Sequence, residues 1–213
     1  MVSRETKYLE ELIAQGEHQQ QDFKYKIQDP AKLAKSVSAF ANTFGGRLLI
    51  GVRDDGKLSG VRDEEEIYMM RKAATECCHP ASAISFDTYH VEGHSIVIAT
   101  IPPSDCRPIF AVDESGHKIA YVRVADENIV ASPVHLEMWK QDRASTVVMT
   151  YNDDETHLIN TLRQHPDATL NRVVRFSGLS RFKVIKKLAR FIRYNIAEIR
   201  LKDEQFVFGL TVS

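Results

Sequence analysis

Glu17, Asp22 and Asp54 are the carboxylates of this 213-residue chain whose placement could do chemistry. Glu17 falls just before a predicted strand, Asp22 falls within it, and Asp54 ends a second. If those strands pair, three carboxylates with Lys24 beside them could hold Mg²⁺ or Mn²⁺ for phosphodiester cleavage. The competing reading is a set of solvated acids paired with Lys24 or Arg53. No cofactor is expected outside that nuclease reading. The string GVRDDGKL, residues 51–58, approaches a phosphate-binding P-loop. Leu58 stands where the Mg²⁺-binding hydroxyl belongs, and no helix starts after Lys57, so a hairpin turn is expected instead. Cys77-Cys78-His79 lacks a partner pair at zinc-finger spacing, which makes ordinary thiols the expectation. No serine sits in a nucleophile elbow.

A second set of candidates is basic. A helix predicted over 180–194 places Ile185, Leu188 and Ile192 at i, i+3 and i+7, facing a core. Lys183, Lys186, Lys187, Arg190 and Arg193 then share the opposite side. With Arg181 at the helix start, and Arg200 and Lys202 on a hairpin that follows, this is the footprint that phosphate and groove contact require. The alternative is a charged face used for protein contacts, neutralised by an acidic partner.

Periodicity supplies the elements that must position these groups. A helix is expected over 4–14, stopped by Gly16, and an alternating strand over 20–27. Asp29-Pro30 reads as an N-cap followed by proline at N1, opening a helix to about residue 41. Residues 47–52 form an apolar strand covered on both faces. The 54–57 turn then feeds a short return strand at 58–61. A helix over 64–77 precedes strands at 85–91, 95–101, 108–112 and 118–124. Ser132 caps a helix reaching about residue 141.

The tail has its own rhythm. Helices are expected over 154–164, 169–176 and 180–194, with a tight turn at Ser177-Gly178-Leu179 between the last two. Strands over 196–201 and 205–210 close it. Three helices and a terminal hairpin in about sixty residues spell a winged helix-turn-helix. The expected division is therefore a first domain over 1–142, a linker or extra strand over 143–153, and a winged helix-turn-helix over 154–213.

The run SAFANTFGGRLLIGVRDDGKLSGV, residues 38–61, resembles the AlbA-type domain of the Schlafen family. Glu17 and Asp22-Phe23-Lys24 are similar to that family's acidic-x4-acidic-Phe-Lys signature. Tyr121-Val122-Arg123-Val124, with Asn128 and Ala131, is similar to its Tyr-x-Arg strand and polar loop. The resemblance covers about residues 10–142. It implies an α+β fold, an α/β sandwich with a mixed sheet, that self-associates and contacts nucleic acid. A C-terminal winged helix is a frequent attachment in bacterial members that look like transcriptional regulators. Some eukaryotic relatives are metal-dependent RNA nucleases, and their acids fall on Glu17, Asp22 and Asp54. Asp22 stands where that family usually has Glu. Those nucleases pair two copies of the domain, which a homodimer would supply here.

Composition bounds the rest. At 43% hydrophobic and 27% charged residues, the chain has the balance of a soluble globular protein. No apolar run reaches the roughly 18 residues of a membrane span, and residues 1–12 carry no apolar signal core. A cytoplasmic location with reduced thiols at Cys77, Cys78 and Cys106 is expected. Net charge is −1, but residues 154–213 carry eleven Lys and Arg against six Asp and Glu, while the front is acidic. That asymmetry points to two modules with different partners. The function expected is a DNA-binding, dimeric regulator of transcription that grips duplex through its tail. The alternatives are contact with RNA, a metal-dependent nuclease, and a protein-interaction module.

Overall fold

The computed structural model describes residues 4–27, 29–143 and 152–211. The chain divides into two compact units, Met1–Val130 and Ala131–Ser213. The boundary falls ahead of the helix at 133–142, whose apolar side packs into the second unit. Most of the expected 143–153 linker lies outside the described residues.

The first unit holds helices α1 (Arg4–Ala14), α2 (Pro30–Asn42) and α3 (Asp63–Thr75). Its strands are β1 (Gln21–Lys24), β2 (Gly46–Ile50), β3 (Cys78–His79), β4 (Ser85–Val91), β5 (His94–Ile101), β6 (Phe110–Val112), β7 (Lys118–Val124) and β8 (Glu127–Val130). They form two four-stranded sheets, ordered β1-β2-β5-β4 and β3-β6-β7-β8. The first sheet is mixed: β1 runs parallel to β2, with Asp22 opposite Leu48, and the other pairs are antiparallel. As expected from its apolar run, β2 is central. Leu48 and Ile50 face α2 and α3, while Leu49 faces α1 with Phe23, Ile96 and Ile98.

Helix α2 lies against β6, β7 and β8 on one side and α3 on another, so it is buried around most of its girth. Asp29 caps it by accepting from the backbone N–H groups of Ala31 and Lys32. Two polar residues inside it then have specific partners. Ser38 Oγ donates to Ile109 O at 2.7 Å and accepts from Tyr121 N at 3.0 Å. Asn42 donates to the carbonyls of Ile109 and Tyr121 and accepts from Ile109 N at 2.8 Å. These bonds satisfy backbone groups that the short β6–β7 pairing leaves open, each costly to bury unmet. The Gly45-Gly46 break has an equally local cause. A Cβ on Gly46 would lie 2.3 Å from the Phe40 ring, and Gly45 has φ +71° with Ile101 O 2.8 Å from its would-be Cβ.

The 54–57 segment is a hairpin turn, as expected: Arg53 N donates to Lys57 O, and Gly56 N to Arg53 O. The return strand expected at 58–61 shrinks to one bridge between Val52 and Leu58. Strands β3 and β8 were not anticipated. Both are short segments whose pairing is set by neighbours rather than by their own pattern.

The second unit holds α4 (Pro133–Asp142), α5 (Asp153–Gln164), β9 (Ala168–Thr169), α6 (Leu170–Ser177), α7 (Arg181–Arg193), β10 (Ala197–Lys202) and β11 (Gln205–Leu210). Helices α4, α5 and α7 start at side-chain caps: Ser132, Asn152 and Ser180. Gly178, at φ +64°, ends α6 in the left-handed conformation glycine favours. The hairpin β10–β11 adds β9 as a third antiparallel strand. Val134, Leu158, Leu162, Val173, Leu188, Phe191 and Phe208 share one core. No helix among the described residues is long and apolar enough to cross a membrane.

Candidate nucleic-acid interface

The acidic candidates separate into a pair and an outlier. Glu17 accepts from Phe23 N at 2.8 Å. Burial first, and the adjacent Asp22 carboxyl second, push the Glu17 carboxyl above the usual range. Asp22 is buried and already engaged, with Lys24 Nζ 2.6 Å from Oδ2 and Arg123 Nη2 3.4 Å from Oδ1. Arg123, only 3% exposed, also donates to Asn128 Oδ1 and to the backbone oxygens of His18 and Gln21. Its guanidinium lies 5.0 Å over the Phe40 ring. The cluster ties β1 to β7, and its two cations already answer the Asp22 carboxylate. Asp54 is exposed in the 54–57 turn, lining a shallow cleft with Tyr25 and Arg53. Among the described residues no group of three His, Cys, Asp or Glu side chains is arranged to hold a metal ion. Glu17, Asp22 and Asp54 of one chain therefore do not make up an Mg²⁺ or Mn²⁺ site among the described residues. Cys78 is buried, its thiol pushed up to about 12 by desolvation, so it is no ready ligand.

The basic stripe on α7 is rotated from its expected position. The buried apolar residues are Val184, Leu188 and Phe191, spaced i, i+4, i+7, with Ile185 and Ile192 only partly covered. That turn carries Lys187 inward, to 8% exposure, onto Glu155, itself 1% exposed. Lys187 Nζ lies 3.0 Å from Glu155 Oε1, and Arg190 pairs with the same oxygen. Lys183 pairs with Asp154 at 2.9 Å and Arg193 with Asp142 at 2.8 Å. On the hairpin, Arg200 and Lys202 both reach Asp167, and Arg200 also reaches Glu198 at 3.1 Å. Acids of α4, α5 and the loop before β9 thus neutralise most of the predicted stripe internally.

Two predicted cations have no carboxylate partner among the described residues. Lys186 lies 4.5 Å from the ring centre of exposed Phe182. Arg181 donates to Asn171 Oδ1 at 2.6 Å, joining the starts of α6 and α7. Two further cations, absent from the sequence-based set, stand exposed on α6. Arg172 and Arg175 lie 5.6 and 5.0 Å over the Phe176 ring, on which His165 stacks at 3.9 Å. No ion pair among the described residues engages Arg172, Arg175, Arg181 or Lys186. Guanidinium groups held on an aromatic ring without a carboxylate are preorganised phosphate donors. The Arg-x-x-Arg-Phe spacing was a signal for this pair, obscured because α6 is short and its neighbour richer in charge.

Residues 17–132 match the family described as Schlafen, AlbA_2, more than half of the chain. The chain belongs to that family. The AlbA_2 match ends two residues past the first unit, leaving the second unit outside it. Among curated proteins none matches the chain. Among solved structures it is similar to the DIP2311 protein from Corynebacterium diphtheriae, at 20% identity and a TM-score of 0.47. That similarity covers 89% of this chain but 34% of the other, so this chain spans about a third of that protein. It is also similar to the N-terminal domain of a RecG-related protein from Nitrosomonas europaea, at 23% identity and a TM-score of 0.41, covering 70% of this chain and 97% of that one. Within the AlbA_2 domain, the signature residues Ser38, Phe40, Asn42, Gly45 and Gly46 serve the packing of α2 and β2 described above.

Proposed function

We propose that this AlbA_2 protein binds nucleic acid and that its second unit is a winged helix-turn-helix that docks on duplex DNA as part of a transcription regulator. The order α5–α6–turn–α7, followed by the β10–β11 hairpin, supports the winged-helix reading. The observation that carries duplex contact is the α6–α7 corner, where Arg172, Arg175, Arg181 and Lys186 have no ion pair among the described residues and are flanked by Phe176 and Phe182. The original candidates Lys183, Lys187, Arg190, Arg193, Arg200 and Lys202 contribute less in this reading, because each already has an acid. A homodimer through the AlbA_2 domain would present two such corners to one duplex.

The test is a fluorescence-anisotropy titration of the full chain against mixed-sequence duplex at several salt concentrations. Four phosphate contacts predict a log–log salt slope of about −3 to −4. The Arg172→Glu/Arg175→Glu double variant should lose tenfold or more in affinity, whereas Lys183→Ala should change it less than threefold. Equal losses in both variants would return the contact to the α7 stripe. Binding without salt dependence would remove the duplex reading.

A further inference from the structure

One face of the β1-β2-β5-β4 sheet is only partly covered by α1. Leu9 and Leu12 seal the part over Phe23, Leu49 and Ile96. Beside them lies an open groove of about 580 Å³, within the size range of small-ligand sites. Its walls are unusually aromatic for a surface. Tyr8 of α1 and Tyr89 of β4 have ring centres 5.7 Å apart, and Phe44 stands at the rim, 70% exposed. Phe44 belongs to the turn immediately before Gly45-Gly46, where neither glycine tolerates a side chain, so its backbone is fixed while its ring meets solvent.

Arg47 lines the same groove with its charge unanswered. Its Nε donates to Gln21 Oε1 at 2.7 Å and its Nη2 to Gln15 Oε1 at 3.1 Å, both neutral carbonyls. No ion pair among the described residues engages it. The guanidinium is thus oriented by two side chains while Nη1 takes no partner among the described residues, the arrangement that favours an incoming phosphate. His18 stands nearby, its Nδ1 accepting from Gln20 N, which leaves the neutral ring's proton on Nε2 as another donor. Burial, and then Arg47, hold its pKa below the ordinary imidazole value. Asp87 is the one carboxylate among the described lining residues and offers an acceptor for a base amino group.

We propose that this groove binds a nucleotide, with the base stacked among Phe44, Tyr8 and Tyr89 and the phosphate on Arg47. Aromatic platforms beside a cation recognise this chemistry in either of two forms, a free mononucleotide or an unpaired nucleotide within a single strand. The site lies wholly within the AlbA_2 unit and does not depend on duplex contact by the second unit.

The experiment uses the full chain. One arm titrates AMP, GMP, CMP and UMP by calorimetry; the other follows a fluorescein-labelled single-stranded 12-mer by anisotropy. Saturable binding in the first arm identifies a free nucleotide, and binding in the second alone identifies a strand; either supports the site. Phe44→Ala and Arg47→Gln should each weaken that binding about fivefold or more. Circular dichroism should show both variants folded, since Phe44 is exposed and, among the described residues, the Arg47 side chain bonds only Gln15 and Gln21. Arg172→Glu/Arg175→Glu should leave it within twofold, and Phe44→Ala should leave duplex affinity unchanged. The proposal is overturned if neither arm shows saturable binding. It is equally overturned if folded Phe44→Ala and Arg47→Gln bind as well as the parent chain, or if the 12-mer is lost with the α6 arginines instead.

Discussion

His135 shows how burial converts one side chain into a pH-dependent contribution to stability. It sits at the third position of α4, where its Nδ1 accepts from Ser132 N at 3.1 Å while Ser132 Oγ accepts from His135 N. The ring packs edge-on against Phe206. Desolvation holds its pKa at about 4, below the ordinary 6.5. Between those values the unfolded chain takes up a proton that the folded chain resists. Its contribution is therefore full above pH 6.5 and declines as pH falls toward 4, by about 3 kcal/mol over the whole interval. Urea melts of the protein from pH 7 to pH 4 should show that decline. His135→Gln retains an acceptor for the capping box and should flatten it; an unchanged slope would locate the titration elsewhere.

At the scale of elements, α7 is the informative case. Its sequence supports two apolar faces, Ile185-Leu188-Ile192 or Val184-Leu188-Phe191, which differ by a modest rotation. The second is realised because the helix is covered on more than one side, by the shared core and by α4, whose Gln141 donates to Lys186 O. The rotation delivers Lys187 and Arg190 to one buried carboxylate, Glu155. Glu155 also accepts from Asn152 N in the α5 capping box. Glu155→Gln should therefore cost about 3 kcal/mol, by leaving two partly buried cations without their counter-charge. Denaturant melts should report a lower midpoint at an unchanged m-value. A loss under 1 kcal/mol would mean that solvent already compensates the pair.

At the scale of the molecule, the position of α4 redraws the boundary. Val134 is fully buried and Trp139 nearly so, and Val134 belongs to the core containing Leu158, Leu188 and Phe208. A fragment of residues 131–213 should unfold cooperatively. One beginning at residue 154 forfeits those two side chains, a loss of about 5 kcal/mol, comparable to the whole stability of so small a unit. Thermal melts of the two fragments check this, and equal midpoints would show α4 to be dispensable.

Much of the architecture could be read from local pattern. Asp29-Pro30, Ser132 and Ser180 marked helix starts, Gly178 marked the turn between α6 and α7, and strand-like runs bounded by turn residues located β4, β5, β7 and the terminal hairpin. These signals were legible because caps, turns and periodicity act between residues close in sequence. The run over 38–61 pointed to the AlbA_2 family for a related reason, since its glycines and its buried Ser38 and Asn42 answer fixed backbone geometry. Which charges remain available for a partner was decided only by the tertiary structure. Lys187 looked like its neighbour Lys186 until packing set one against Glu155 and left the other in solvent. Asp54 looked like Asp22 until the turn carried it away from the Arg123 cluster. Ion pairing and burial join residues distant along the chain, and a linear pattern carries no record of which partner will arrive.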